Sequence, residues 1–219
     1  MIKQYSLATD GDLQLSVNFK VREFACPGSD VIFIDENLVD ILQQLRTRFN
    51  RSIRIGSGYR TAKYNAQIGG HRSSRHLTGQ AADIDVGSGS DLVDPLLVAM
   101  TVQAIGSRSI GCYMYEDGQS WVHVGSALTD NYWRQAAPGQ QVYIKTFLPT
   151  QRRIPKQAAV YSDYCLRLQQ LLKDRKYYLG SLDGKYGPKS EAAVKAFQKV
   201  KNLEKDGVCG PITWKAILL

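Results

Sequence analysis

The sequence predicts an α+β fold, an antiparallel sheet with flanking helices, followed by a small all-α domain of three helices. Three observations carry this. Leu38, Ile41, Leu42 and Leu45 repeat with the period of one buried helix face. Period-two strands surround Glu116-Asp117-Gly118-Gln119, whose Asp-Gly pair is a hairpin signal. Composition then changes near residue 150. Residues 1–150 hold 14 Lys+Arg and 14 Asp+Glu, whereas residues 151–219 hold 14 and 6, so the net charge of +8 lies in the last third. Such a step marks a domain boundary. The expected organisation is a first domain over 1–150, a basic linker over 151–160 and a second domain over 161–219.

In chain order, Asp35 is the N-cap candidate of the first helix, which Phe49 extends. Ser52–Arg60 alternates and stops at glycines, predicting a short strand and a loop. A second strand is expected at Ala81–Val86. Asp91–Ala104 reads as a helix, with Pro95 tolerated in the first turn. Strands follow at Ile110–Tyr115 and Ser120–Val124. Polar, basic, proline-containing Gln151–Gln157 is the linker. Beyond it, Asp183-Gly184-Lys185-Tyr186-Gly187-Pro188-Lys189-Ser190 and Asp206-Gly207-Val208-Cys209-Gly210-Pro211-Ile212-Thr213 share D-G-x-x-G-P-x-[ST]. Each runs into a helical segment, Glu191–Lys201 and Trp214–Leu218. The glycines supply a tight turn, the proline presets φ, and the hydroxyl is expected to satisfy orphan N–H groups. With an amphipathic Asp163–Lys173 helix in front, this makes a three-helix unit.

With 219 residues, 43% hydrophobic and 22% charged, the composition is that of a globular chain and excludes wholesale disorder. No apolar run reaches the roughly 20 residues of a membrane span. The start lacks an apolar signal-peptide core, so synthesis in the cytoplasm without a signal peptide is expected. Cys26, Cys112, Cys165 and Cys209 form no C-x-x-C pair and read as four reduced, buried thiols.

The chemistry concentrates at Ser74-Arg75-His76-Leu77-Thr78-Gly79-Gln80-Ala81-Ala82-Asp83. Imidazole and carboxylate are good zinc ligands, and a catalytic zinc commonly keeps three protein ligands. His76 and Asp83 therefore need a third. Only three histidines exist: His71 lies in a Gly-rich loop and reads as solvated, and His123 lies in the strand Trp121–Val124. On the residues alone, a strand histidine is more often packed than ligating.

Residues 17–134 resemble the zinc D-Ala-D-Ala carboxypeptidase and endopeptidase family, whose members cleave the peptide stems of bacterial cell walls. The match rests on S-x-H-x-x-G-x-A-x-D at Ser74–Asp83, S-G-Y-R at Ser57–Arg60 and H-V at His123-Val124. The resemblance implies one Zn²⁺ per chain, held by His76, Asp83 and His123, with Arg60 holding a substrate carboxylate or carbonyl. Ser74 is expected to orient the loop by a local hydrogen bond, since no histidine remains to activate it as a nucleophile. Relatives often place an acid three positions before or two after the last histidine; here those positions are Ser120 and Gly125. The general base is left open among Glu116 and Asp117, both assigned to the hairpin turn, and Asp85, on the Asp83 face by alternation.

Asp163–Leu218 resembles a peptidoglycan-binding domain with the repeat D-G-x-x-G-P-x-T-x-x-A-V-x-x-F-Q. This implies wall contacts through Asp183, Gly184, Tyr186, Asp206 and Trp214. The partner implied is bacterial peptidoglycan, with anionic wall polymers attracting the basic unit. Nucleic acid is not expected, because Arg46, Arg48, Arg51 and Arg54 flank a helix end and no aromatic-interleaved basic motif occurs. The combination is that of a phage-type endolysin, made in the cytoplasm and acting on the wall after holin-type release. A non-catalytic wall-binding protein with a structural zinc is the rival reading.

Overall fold

A computed structural model describes residues 1–154 and 157–219. The chain divides into two units, Met1–Phe147 and Leu148–Leu219.

In the first unit, β1 (Ile2–Ser6) runs into a single turn, α1 (Leu7–Asp10), and pairs antiparallel with β2 (Val31–Asp35). Helix α2 (Glu36–Phe49) starts where expected. Asp35 accepts from the Asn37 N–H, and Asn50 closes the helix in the left-handed region. Strand β3 (Ile53–Ser57), short helix α3 (Ala62–Gln67), β4 (Ala81–Val86), α4 (Pro95–Ile105), β5 (Ser109–Met114), β6 (Ser120–Gly125), β7 (Asn131–Gln135) and β8 (Gln141–Ile144) follow. Helix α4 begins later than the Asp91 expected from apolarity. Asp94 caps the Leu96 N–H and Pro95 takes the first position, so the local start signal outweighs the apolar run.

Strands β3 to β8 form one sheet in the order β3-β4-β6-β5-β7-β8. It is antiparallel except at β5·β7, which is parallel. The expected antiparallel sheet is thus mixed at one pairing. After β6 the chain passes to the far side of β5, so β7 repeats the direction of β5. Arg108–Asp130, at 2.7 Å, and the Asn131 N–H to Arg108 carbonyl bond anchor that return.

Alternation divides the sheet into two faces. Ala82, Ile84, Val86, Ile110, Cys112, Val122 and Val124 are buried, on the face that α4 covers, with α2 packed against α4. Burying each Val or Ile side chain among them contributes roughly 1.5–3 kcal/mol, which makes this layer the core. The opposite face carries Asp83, Asp85, Trp121 and His123.

The second unit contains α5 (Asp163–Asp174), α6 (Pro188–Val200) and α7 (Pro211–Leu218). Pro188 and Pro211 occupy first helical positions, and the internal repeat is structural. Gln169 of α5 donates to Asp183 Oδ1 (2.8 Å), the Lys185 carbonyl (3.1 Å) and Ser190 Oγ (3.2 Å), and accepts from the Gly184 N–H (2.9 Å). Gln198 of α6 makes the same set with Asp206 (2.8 Å), Val208 (3.1 Å), Thr213 (3.2 Å) and Gly207 (3.0 Å). The Ser and Thr hydroxyls therefore meet a buried glutamine, and no side chain caps α6 or α7.

Part of the expected linker is tied down. Gln151 pairs with Cys209 through both backbone bonds (3.0 and 2.8 Å). Pro155 and Lys156 lie outside the described residues. All four cysteines are free and buried; burial pushes the Cys165 thiol up to about 12 and raises that of Cys209, so neither presents a thiolate.

Candidate metal centre

The motif Ser74–Asp83 folds as a 3-10 turn, Arg75–Thr78, leading into β4. Ser74 Oγ accepts from the His76 N–H at 3.4 Å, the local bond expected of it. Gly79 ends the turn at φ +68°. A Cβ there would lie 2.0 Å from the Phe33 carbonyl oxygen, so only glycine lets β4 start against β2.

Three side chains converge. His76 Nε2 lies 3.2 Å from His123 Nδ1 and 3.3 Å from Asp83 Oδ1, and His123 Nδ1 lies 2.9 Å from Asp83 Oδ1. Sheet register delivers two of them, because Asp83 of β4 is the direct neighbour of His123 of β6. Ring orientation is fixed from behind: His76 Nδ1 is 2.7 Å from the Gly58 carbonyl, and in the tautomer that donates Nδ1–H to this oxygen Nε2 keeps its lone pair. A carboxylate oxygen and imidazole lone pairs thus face one point, an arrangement that a cation satisfies.

The triangle also fits the ion. Tetrahedral zinc with bonds of about 2.0–2.2 Å has ligand atoms roughly 3.3 Å apart. His76, Asp83 and His123 are a group able to hold a metal.

Electrostatics agree with an anionic Asp83 at this point. Burial alone would raise the Asp83 carboxyl, but the adjacent His76 and His123 side chains hold it well below the usual carboxylate range. Burial pushes the His123 imidazole down, against the opposing pull of Asp83.

Arg60 is at the site, bonded to a candidate ligand. Its Nη2 donates to Asp83 Oδ2 at 2.5 Å and its Nε to Ser57 Oγ at 2.7 Å. With two donor positions committed to protein atoms, Arg60 orients a candidate ligand. Glu116 and Asp117 are not brought to the site. Asp117 Oδ1 accepts from the Gln119 N–H at 2.9 Å, which makes it a turn former in the β5–β6 hairpin. His71 lies on the loop as an exposed residue, its Nδ1 2.9 Å from Ser73 Oγ.

An aromatic wall stands beside the centre. Trp133 lies 5.1 Å from His123 and donates to the Tyr113 hydroxyl at 3.0 Å, while Tyr113 stacks on Trp121 at 4.4 Å and 12°. Burial pushes the Tyr113 phenol up to about 12. Alternation gave a signal for Tyr113 and Trp121, which share the His123 face, but none for Trp133 on an unassigned strand. Gly111 makes the wall possible. It lies between His123 and Trp133 in one register row, and a Cβ there would sit 2.3 Å from the indole. Gly111→Ala is expected to displace Trp133, costing about 1–3 kcal/mol and lowering metal retention. Thermal unfolding and metal analysis of the variant check this.

Residues 17–125 match the Peptidase M15 family. The N-terminal unit belongs to that family. Residues 165–217 match a putative peptidoglycan binding domain. The chain is 35% identical over 60 residues to the N-acetylmuramoyl-L-alanine amidase CwlM of Mycobacterium tuberculosis, 27% of this chain and 15% of that protein. It is 50% identical over 38 residues to an uncharacterized protein in the bpoA1 3' region of Kitasatospora aureofaciens, 17% of this chain and 32% of that protein. The chain spans less than a third of either relative.

Of the residues expected to contact the wall, Gly184, Tyr186 and Trp214 are buried, and Asp183 and Asp206 are exposed. Trp214 is fully buried and donates to the Pro149 carbonyl at 2.8 Å. Tyr186 is buried and its hydroxyl donates to the Gly207 carbonyl at 2.8 Å. Asp183 and Asp206 also accept from the Lys185 and Val208 N–H groups at 3.0 and 2.8 Å. Gly184, at φ +66°, packs on Tyr161. Asp183, Gly184, Tyr186 and Asp206 build the repeat loops, and Trp214 lies in α7.

Proposed function

We propose that the chain is a zinc-dependent peptidase that hydrolyses peptide bonds in the stem or cross-link peptides of bacterial peptidoglycan. The convergence of His76, Asp83 and His123 on one point, within an M15 unit joined to a peptidoglycan-binding type unit, supports this reading. Zinc bound there supplies an activated water and a Lewis acid for the scissile carbonyl. The chain's own residues do the rest. Gly58 fixes the His76 ring, Arg60, itself held by Ser57, fixes the far oxygen of Asp83, and the Trp133–Tyr113 pair walls the site beside His123.

The test is digestion of purified cell wall. New amino groups are expected with zinc and none after chelation; none under either condition refutes the peptidase reading. Ser120 and Gly125 in place of acids, and Asp117 held in its turn, favour a second reading, a wall-binding protein whose metal is structural. It predicts zinc-dependent folding without product.

Cytoplasmic synthesis, action at the wall after holin-type release and an endolysin role belong to the same proposal. No helix among the described residues is long and apolar enough to cross a membrane. The excess charge of the last third suits retention on anionic wall polymers. Wall binding of the full chain is therefore expected to weaken as salt rises and the Debye length shrinks from about 10 Å at 0.1 M to about 3 Å at 1 M. Pelleting with walls across that range checks this, and a flat response contradicts it.

A further inference from the structure

We propose that the cleft beside Asp83 is a subsite for a peptide residue carrying a free ammonium and a free carboxylate, the ammonium against Asp85 and the carboxylate against Arg54. This rests on the peptidase reading of the neighbouring centre and specifies the substrate.

The cleft holds about 350 Å³ and opens on the sheet face that carries the candidate ligands; Arg54, Ser57, Asp83, Asp85, Ser120 and Trp121 line it. It therefore begins at a candidate metal ligand and runs along β3 and β4 away from the histidines. A chain cleaved at the centre would extend into it.

Its charges are graded with depth. The Asp85 side chain is 12% exposed and that of Arg54 is 75% exposed. The two are cross-strand partners and form an ion pair through Asp85 Oδ2 and Arg54 Nη2. A pair so open on its cationic side contributes little to stability, on the order of 0–1 kcal/mol. Asp85 Oδ1 accepts from no described residue, and Arg54 has donors left beyond Nη2. A zwitterionic group can add to both without breaking the pair, ammonium to the deep carboxylate and carboxylate to the guanidinium at the mouth. Alternating charges then complete a four-membered cluster. Trp121, held flat by its stack on Tyr113, gives the cleft a rigid apolar side for the methylene chain of such a residue.

The experiment is calorimetric binding of the full chain to a short synthetic peptide containing 2,6-diaminopimelate, compared with the same peptide acetylated on the side-chain amine or amidated on the side-chain carboxyl. A charge-assisted pair predicts binding about tenfold tighter for the free peptide than for the acetylated one. Asp85→Asn erases that difference, and Arg54→Gln erases the preference for the free carboxylate. Equal binding of free and acetylated peptide by the unmodified chain, or no binding of the free peptide, overturns the proposal, and this comparison needs no variant. Turnover is read separately. Selective binding without cleavage refutes the peptidase reading alone, and cleavage without selectivity refutes the subsite alone.

Discussion

His76→Ala and His123→Ala each lose zinc to a chelator that leaves the parent chain loaded, and each loses hydrolysis of wall peptides. The expected size follows from the geometry. Each substitution removes one of three donor atoms spaced 2.9–3.3 Å apart. It leaves two ligands where a stable zinc site needs at least three protein groups. Metal content per chain after dialysis measures this, with circular dichroism to show that the fold is kept. The two variants differ in what they leave behind. His76→Ala frees the Gly58 carbonyl, a buried acceptor that then lacks its donor. His123→Ala leaves a gap beneath Trp133. Full zinc occupancy in both variants would remove these residues from the metal site.

Gln198→Leu unfolds the second unit or lowers its melting temperature by roughly 15 °C or more. Gln198 is 2% exposed and serves four partners. An apolar replacement leaves the Gly207 N–H and the Val208 carbonyl without it and strips one donor from Asp206. Each buried group left unsatisfied costs about 1–3 kcal/mol, so a loss of about 3–5 kcal/mol is expected. That is comparable with the whole stability of a unit of this size, about 4–10 kcal/mol, and each kcal/mol moves the midpoint by about 4–8 °C in small domains. Gln169→Leu repeats the effect through Gly184, Asp183 and Lys185. Calorimetry of the full chain, with the transition of the M15 unit as internal reference, reads both. An unchanged second transition would contradict the assignment of these glutamines as the keystones of the repeat.

The same loops show where the sequence was legible and where it was not. The period of Leu38–Leu45, the hairpin at Asp117-Gly118 and the prolines at helix starts are local signals, and local physics alone decides them. The D-G-x-x-G-P-x-[ST] echo was equally visible, but its use was not. The partner of each loop is a glutamine 14 or 8 residues away on the preceding helix, and no spacing rule ties the two. The resemblance pointed outward, to ligand contacts, for Gly184, Tyr186 and Trp214, which are buried, while Asp183 and Asp206 are exposed.

At the centre, His76 and Asp83 stood out by their motif. His123 needed the register of β4 against β6, a long-range fact that its strand alone does not encode. The contact of Arg60 with Asp83 was likewise hidden, because the two lie 23 positions apart and meet only through the sheet. Strands β7 and β8 escaped detection since Asn131–Ile144 lacks clean alternation and ends in exposed positions. With them went Trp133.

The most direct measurement is mass analysis of fragments released from purified peptidoglycan by the zinc-loaded chain, with His123→Ala as control. The account predicts new amino and carboxyl ends within stem or cross-link peptides, absent from the control. Intact peptides freed from the sugar chain, as an N-acetylmuramoyl-L-alanine amidase would release, or no fragments at all, would contradict it.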